Sequence, residues 1–178
     1  MNIQTRGAKP ADWLLLGSIG LLAGALIWVV SGTLEQRVIN AGDKAPDFHV
    51  TTDRGKNVTV QNFGGKLLVL NFWATWCPPC VEEIPGLNEL ATQLGPKGLV
   101  ILGVSVDKDE QIYRSFLTRS PLAYQTARDP EEKINLKYGT IQYPESYLID
   151  RNGKVIEKFI SSQPWDSPQM LEHVNSLL

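Results

Sequence analysis

The chain has 178 residues, and 17 Lys and Arg against 19 Asp and Glu leave a formal net charge of −2. That near balance gives no basic stripe to neutralise a nucleic-acid backbone, and no acidic or low-complexity tail argues for disorder. The length suits one well-buried domain with an appendage rather than two domains, and there is no internal repeat.

The appendage comes first. Residues 13–30, WLLLGSIGLLAGALIWVV, carry no charge and one hydroxyl, Ser18. As a helix this run would span roughly 27 Å, close to the thickness of a bilayer's hydrocarbon core. A cleavable signal peptide is the rival reading, with VSG at 30–32 as its cleavage site. Against it, the run is longer than an ordinary signal core and ends in the bulky IWVV. We therefore expect a cytoplasmic N-terminus over 1–12, an anchor (or uncleaved signal) over 13–30, a linker over 31–41 and a folded domain over 42–178. Arg6, Lys9 and the terminal amine precede the span, whereas Arg37 alone follows it before Lys44. That asymmetry predicts a single-pass protein of the cytoplasmic (inner) membrane, its domain in the periplasm or extracytoplasmic space. Trp13 and Trp28 fit interfacial anchors.

Along the domain, FHVTTDRGKNVTVQNF alternates apolar and polar residues around Asp53–Lys56, predicting a small hairpin. KLLVLNFWA (66–74) is a continuous apolar run and reads as a strand buried on both faces. Val81, Ile84, Leu87, Leu90, Ala91 and Leu94 then form one helical stripe, ended by Gly95-Pro96. GLVILGVSVD (98–107) is a second buried strand, and 109–119 a helix with Ile112, Phe116 and Leu117 inward. PLAYQTARDP is irregular or a short strand, and 131–138 is a short helix ended by Gly139. ESYLIDRNGKVIEKFI reads as two strands across Asn152-Gly153, and 166–178 as a closing helix with Met170, Leu171, Val174 and Leu177 or Leu178 inward. The order predicts an α/β domain with a central mixed sheet covered by helices.

Both cysteines, Cys77 and Cys80, lie in NFWATWCPPCVEEIP, three residues apart. They could be half a metal site, a structural staple, or a pair that opens and closes. Zinc takes four ligands, and His49 and His173 show no ligand spacing with the thiols. A crosslink this short closes almost no loop and gains little entropically. A reactive pair accounts better for the placement. Cys77 falls where a buried strand meets a helix N-terminus, whose unpaired N–H groups favour a thiolate, and Cys80 lies one turn on, less exposed. Cys77 would attack and Cys80 would resolve the mixed disulfide. With Cys77 as N-cap, Pro78 takes the first helical position, and neither Pro78 nor Pro79 has an N–H to solvate the sulfur. The Cys77 pKa should then fall only moderately, suiting a reductant.

NFWATWCPPC resembles the active-site signature of thioredoxin-fold proteins. The wider pattern APDF…FGGKLLVLNFWATWCPPCVEEIP…YPESYLID is similar to the membrane-anchored TlpA/ResA/CcmG-like thiol-disulfide oxidoreductases over residues 42–178. The resemblance implies a thioredoxin-like fold with an N-terminal β-hairpin extension and an inserted βα element around 108–138 that shapes client choice. Pro85 stands where thioredoxins carry a helix-kinking proline, and Asn71 where cytoplasmic thioredoxins carry a buried aspartate. Glu83 corresponds to the branch's active-site glutamate. It shares a helix face with Cys80, where a partly buried carboxylate would have a raised pKa and could take the resolving thiol's proton, unlike a solvated surface glutamate. Pro144 matches the loop proline whose preceding bond is cis, which would offer the backbone of Tyr143 to an extended client. Glu145 after it is seen particularly in CcmG-like members. Trp76 would form an apolar rim for the client, unless it merely packs.

The resemblance further implies a disulfide reductase acting on exported proteins, an apocytochrome c among them. Electrons would come from a CcdA/DsbD-type membrane donor, and the pair itself would serve as redox centre with no organic cofactor or metal. A thiol peroxidase of the peroxiredoxin type, which shares the APDF opening, and a non-catalytic client-binding module are the alternatives.

Overall fold

The structure, a computed structural model, describes residues 10–33 and 38–178, with side chains over 17–29 and from 38 onward. The chain divides into two units, Met1–Gln36 and Arg37–Leu178. In the first, α1 (Pro10–Thr33) contains the expected 13–30 run, and Leu21, Leu22, Leu26, Ile27 and Trp28 stand exposed on it. The side chains of 13–16 and 30, including Trp13, and all of 1–9 and 34–37 lie outside the described residues. Among the described residues no helix is long and apolar enough to cross a membrane.

The second unit opens with Ile39, which the sequence reading gave to the linker but which is buried in the core and donates its N–H to Tyr138 O at 3.0 Å. β1 (His49–Thr51) and β2 (Asn57–Thr59) form the expected antiparallel hairpin, a small sheet of its own. The main sheet begins with β3 (Leu67–Trp73), crosses through α2 (Pro78–Leu94) and returns as β4 (Leu99–Ser105), parallel to β3 in the register Leu67 to Leu99 through Trp73 to Ser105. After α3 (Glu110–Arg119), β5 (Gln125–Arg128) adds in parallel to the outer side of β4. α4 (Lys133–Tyr138) leads to β6 (Glu145–Asp150), antiparallel to β3, and to β7 (Val155–Ile160), antiparallel to β6 across the Asn152-Gly153 turn. α5 (Pro168–Ser176) closes the chain. The five strands run in the order β5-β4-β3-β6-β7, a thioredoxin-like α/β fold. The segment 108–138 thus supplies α3, β5 and α4.

β3 is apolar throughout because it is covered twice. Leu67, Val69 and Trp73 pack with Ile84, Leu87 and Leu90 of α2, while Leu68, Leu70 and Phe72 pack with Val50, Val58 and Tyr138 on the opposite side. Each such burial stabilises by roughly 1.5–3 kcal/mol relative to exposure, so the central strand and not turn propensity sets the frame.

The expected inward face of α3 is corrected in one place. Ile112 is 55% exposed, and Tyr113 is buried instead. Asp109 accepts from the N–H groups of Gln111 and Ile112 and so fixes where the helix starts. From that start the covered stripe is Tyr113, Phe116 and Leu117, at helical spacing. The phenol of Tyr113 donates to Asp53 and lies 3.1 Å from Thr126 Oγ1, drawing it further inward. In α2 the expected stripe holds, with Val81 and Ala91 half-buried at its edges.

Candidate active site

The site forms where β3 ends. The Cys77 N–H closes a turn onto Ala74 O at 3.3 Å, and Cys77 then caps α2 from an extended conformation, φ −100° and ψ 101°. Pro78 and Pro79 occupy the first helical positions without an N–H to offer. The first donor to reach the cap is Cys80 N–H, 3.3 Å from Cys77 Sγ. The two sulfurs are joined, with Cα atoms 5.3 Å apart. Cys77 is 5% exposed and Cys80 1%. The order of exposure is the expected one, but the margin is narrow: in the disulfide form Cys77 reaches solvent through a small window.

Trp76, by contrast, is 63% exposed. Its ring meets Tyr143 edge-on, centroids 6.1 Å apart, so the fold brings together the two residues expected to receive a client. Tyr143 packs against the apolar cluster that includes both cysteines, and the Tyr143–Pro144 bond is cis. Asn135 of α4 donates to the Tyr143 hydroxyl at 2.6 Å, and that hydroxyl donates to Glu132 Oε2 at 3.4 Å. Burial and then the Glu132 carboxylate raise the Tyr143 pKa far above the ordinary phenol range, so it stays a donor.

Glu83 is not a solvated surface residue. It is 4% exposed, whereas Glu82 beside it faces solvent. Its Oε1 accepts from Asn71 Nδ2 at 2.8 Å, and its Oε2 from Trp165 Nε1 at 2.9 Å and Gln163 N at 3.3 Å. Burial raises its pKa above the ordinary carboxylate value, and the hydrogen bonds from Trp165, Gln163 and Asn71 hold back part of that rise. Asn71 also donates to Ser146 Oγ at 2.9 Å. The carboxyl group therefore sits one helical turn beyond Cys80, buried among groups from β3, β6 and the segment before α5. A carboxyl group whose pKa is raised in this way is the one group here suited to exchange a proton with the Cys80 thiol one turn back on the same helix.

Two features escaped the sequence reading. One is the pair Gln163 and Trp165, which stand in no spaced motif; the only signal was an aromatic residue inside the polar run SSQPWDSP. The other is Asp107, 2% exposed, which accepts from Thr75 N at 2.9 Å, Thr75 Oγ1 at 2.7 Å and Ser105 Oγ at 2.6 Å. It pins the loop that carries Trp76 and Cys77. Glu145, next to Pro144, is buried and bonded to Thr140 Oγ1 at 2.6 Å, to the Tyr147 hydroxyl and to Lys158 Nζ at 3.3 Å. Among the described residues no group of three or more His, Cys, Asp or Glu could hold a metal ion. His49 is exposed on β1, and His173 Nε2 lies 2.7 Å from Glu157 Oε1.

Comparison with known proteins agrees with this geometry. Residues 41–158 match the model of the AhpC/TSA family. The thiol-disulfide oxidoreductase ResA of Bacillus thuringiensis (strain Al Hakam) is 36% identical over 129 residues, 72% of this chain and 75% of that one. The ResA of Geobacillus thermodenitrificans is 31% identical over 164 residues, 92% of this chain and 90% of its own. Among solved structures, a protein of Chlorobium tepidum described as thiol:disulfide interchange protein DsbE superposes with a TM-score of 0.71 at 31% identity. That match covers 79% of this chain and 98% of the other.

Proposed function

The chain belongs to the AhpC/TSA family as a thiol-disulfide oxidoreductase of the ResA and DsbE type, and we propose that it works as a membrane-anchored, extracytoplasmic reductase of disulfides in exported proteins. The observation that carries the reading is the buried Glu83 one turn beyond Cys80, beside a helix-capping Cys77. In the reduced form the Cys77 thiolate attacks one sulfur of the client disulfide and expels the other as thiolate. Glu83 takes the Cys80 proton, and the Cys80 thiolate attacks Cys77 Sγ and releases the second client sulfur. Two electrons pass to the client, and the Cys77–Cys80 bond closes.

The client's extended backbone pairs with that of Tyr143 ahead of Pro144, while Trp76 provides an apolar rim. An apocytochrome c awaiting its haem is one client that fits, a disulfide-bearing exported protein. The anchor is read from the sequence: the charge-free run at 13–30, several of whose side chains lie outside the described residues, supports it, with 1–12 in the cytoplasm and the domain beyond the membrane. Disulfides persist in such compartments, so the pair must be recharged through the membrane, by a donor of the CcdA/DsbD type. The peroxidase alternative fits less well, since both thiols are committed to one adjacent pair.

The direction of transfer turns on the Cys77 thiol. Pro78 and Pro79 withhold two donors from its sulfur and leave the Cys80 N–H. Titrating thiolate absorbance in the reduced protein should give a pKa only moderately below that of an ordinary thiol, whereas a value near ~4 would mark an oxidant and overturn the reductase reading.

A further inference from the structure

Between α4 and Pro144 the chain crosses residues 140–143, whose ends are tied and whose middle is not. Asn135, on α4 and fully buried, reaches both ends with one amide. Its Nδ2 donates to Thr140 O at 3.3 Å and to the Tyr143 hydroxyl at 2.6 Å. Its backbone C=O accepts from Thr140 N at 3.0 Å. Thr140 is fixed again by its hydroxyl, which donates to Glu145 Oε1 on the far side of Pro144 at 2.6 Å. In between, Ile141 is 81% exposed and Gln142 also faces solvent. The N–H and C=O of Tyr143 have no partner among the described residues. Those are the groups an extended client would pair with.

Glu132, at the start of α4, stands in a backbone conformation that glutamate rarely adopts. Its φ of 57° and ψ of 27° lie in the left-handed region, and its side chain makes no capping bond to the helix. Asparagine or glycine would suit that turn better. What glutamate adds is reach: Oε2 accepts from the Tyr143 hydroxyl at 3.4 Å, and Oε1 lies 3.9 Å from Lys108 Nζ. A disfavoured backbone kept beside a reactive centre points to a task for the side chain it carries. The Tyr143 hydroxyl is thus held twice, as acceptor from Asn135 and as donor to Glu132, while its ring stands edge-on to Trp76 beside Cys77.

We propose that Asn135 and Glu132 are positioning residues for the exchange reaction: through the Tyr143 hydroxyl they fix the loop before Pro144 so that its free backbone groups meet a polypeptide client bonded to Cys77. The inference rests on the exchange reading above and gives the segment 108–138 a part in it. α4 and its first residue order the docking backbone in advance, which lessens the entropy lost when the client binds. Only substrates with a peptide backbone gain from this. Cys77 has its own supports, the helix cap and the loop held by Asp107, and neither bonds to Asn135 or Glu132.

The test offers the reduced full chain two substrates. One is a peptide bridged by a single disulfide, with several residues flanking each cysteine. The other is bis(2-hydroxyethyl) disulfide, which has no backbone to pair. In both, the Cys77 thiolate attacks one probe sulfur and expels the other as thiolate. Cys80 then loses its proton, attacks Cys77 Sγ and releases the second, so the protein dithiol gives two electrons to the probe. Acid quenching and thiol alkylation follow the reaction. Asn135→Leu keeps the shape of the side chain and removes its amide. Glu132→Asn keeps the left-handed turn and withdraws the carboxylate from Tyr143. The peptide rate constant should fall roughly tenfold in Asn135→Leu, the scale of one hydrogen bond, and about threefold in Glu132→Asn, whose bond is longer. The small disulfide should react within about twofold of wild type in both variants. The ratio of the two rate constants is the readout, because a role confined to stability moves both rates together or neither. A ratio unmoved in both variants overturns the positioning role and leaves the exchange reaction standing. Should Asn135→Leu fail to fold, Glu132→Asn alone decides, since asparagine adopts the left-handed turn more readily than glutamate. If the wild-type dithiol is oxidised by neither disulfide, the exchange reading fails and the positioning role falls with it.

Discussion

Cys77→Ser should abolish turnover of a protein disulfide, with a loss on the order of 10⁴-fold or more, because no other side chain can open the client bond. Cys77 and Cys80 are the chain's only thiols, and Cys80, at 1% exposed, lies behind Cys77 in the same apolar cluster. Cys80→Ser should lose steady-state turnover to a similar degree and for a different reason. Its first exchange remains, since the attacking sulfur and its cap position are intact, and the reaction stops at the mixed disulfide. Stopped-flow measurement of client thiol release separates the two: a single rapid turnover for Cys80→Ser and none for Cys77→Ser. Rapid multiple turnover by either variant would remove the pair from the reaction.

Glu83→Gln should slow resolution of the mixed disulfide by about 10²-fold near neutral pH, the scale of a lost general base. The amide cannot take a proton, and its NH₂ would point toward the donors Trp165, Gln163 or Asn71 that now meet carboxylate oxygens. The pH dependence carries the signature. Burial raises the Glu83 pKa above its ordinary value, so in the wild type the resolution rate should climb with pH as the carboxylate forms. In Glu83→Gln that limb disappears, and the rate rises only as Cys80 ionises unaided, further toward alkaline pH. Stability moves the opposite way. A carboxyl whose pKa is raised by folding binds its proton more tightly in the native state. Its contribution is therefore full below the unfolded-chain pKa and is lost as pH rises through the folded one. The wild type should accordingly weaken, relative to Glu83→Gln, across that interval on going from acid toward neutral pH, in chemical denaturation of the two proteins side by side. Equal pH profiles for resolution would reduce Glu83 to a structural residue.

Much of this arrangement can be read from residue order, for a physical reason. β3 is continuous and apolar because two layers cover it, and Asn152-Gly153 is a turn because Gly153 adopts φ +76°. The cysteines' place at a strand-to-helix junction follows from local pattern alone, since a helix start and its cap are short-range events. The failures are all matters of tertiary phase. Ile112 and Tyr113 both fit an apolar stripe, and the choice was made by the Asp109 cap together with the distant partners Asp53 and Thr126. The depth of Glu83 depends on Trp165, 82 positions away, and on Gln163, which no spacing rule connects to a CxxC pair. Asp107 could be seen in GLVILGVSVD, but its grip on Thr75 exists only once β3 and β4 lie side by side. Ile39, outwardly a linker residue, is buried because the core has a place for it.

The central claim is that Cys77 is the sulfur that reaches the client and Cys80 the one that releases it. Mixing reduced Cys80→Ala with a disulfide-bridged peptide, quenching in acid and weighing the intact protein tests it most directly. The account predicts one peptide adduct per chain, mapped to Cys77 after digestion and removed by added thiol. An adduct on Cys80 in the reciprocal Cys77→Ala variant, with none on Cys77 in Cys80→Ala, would contradict it.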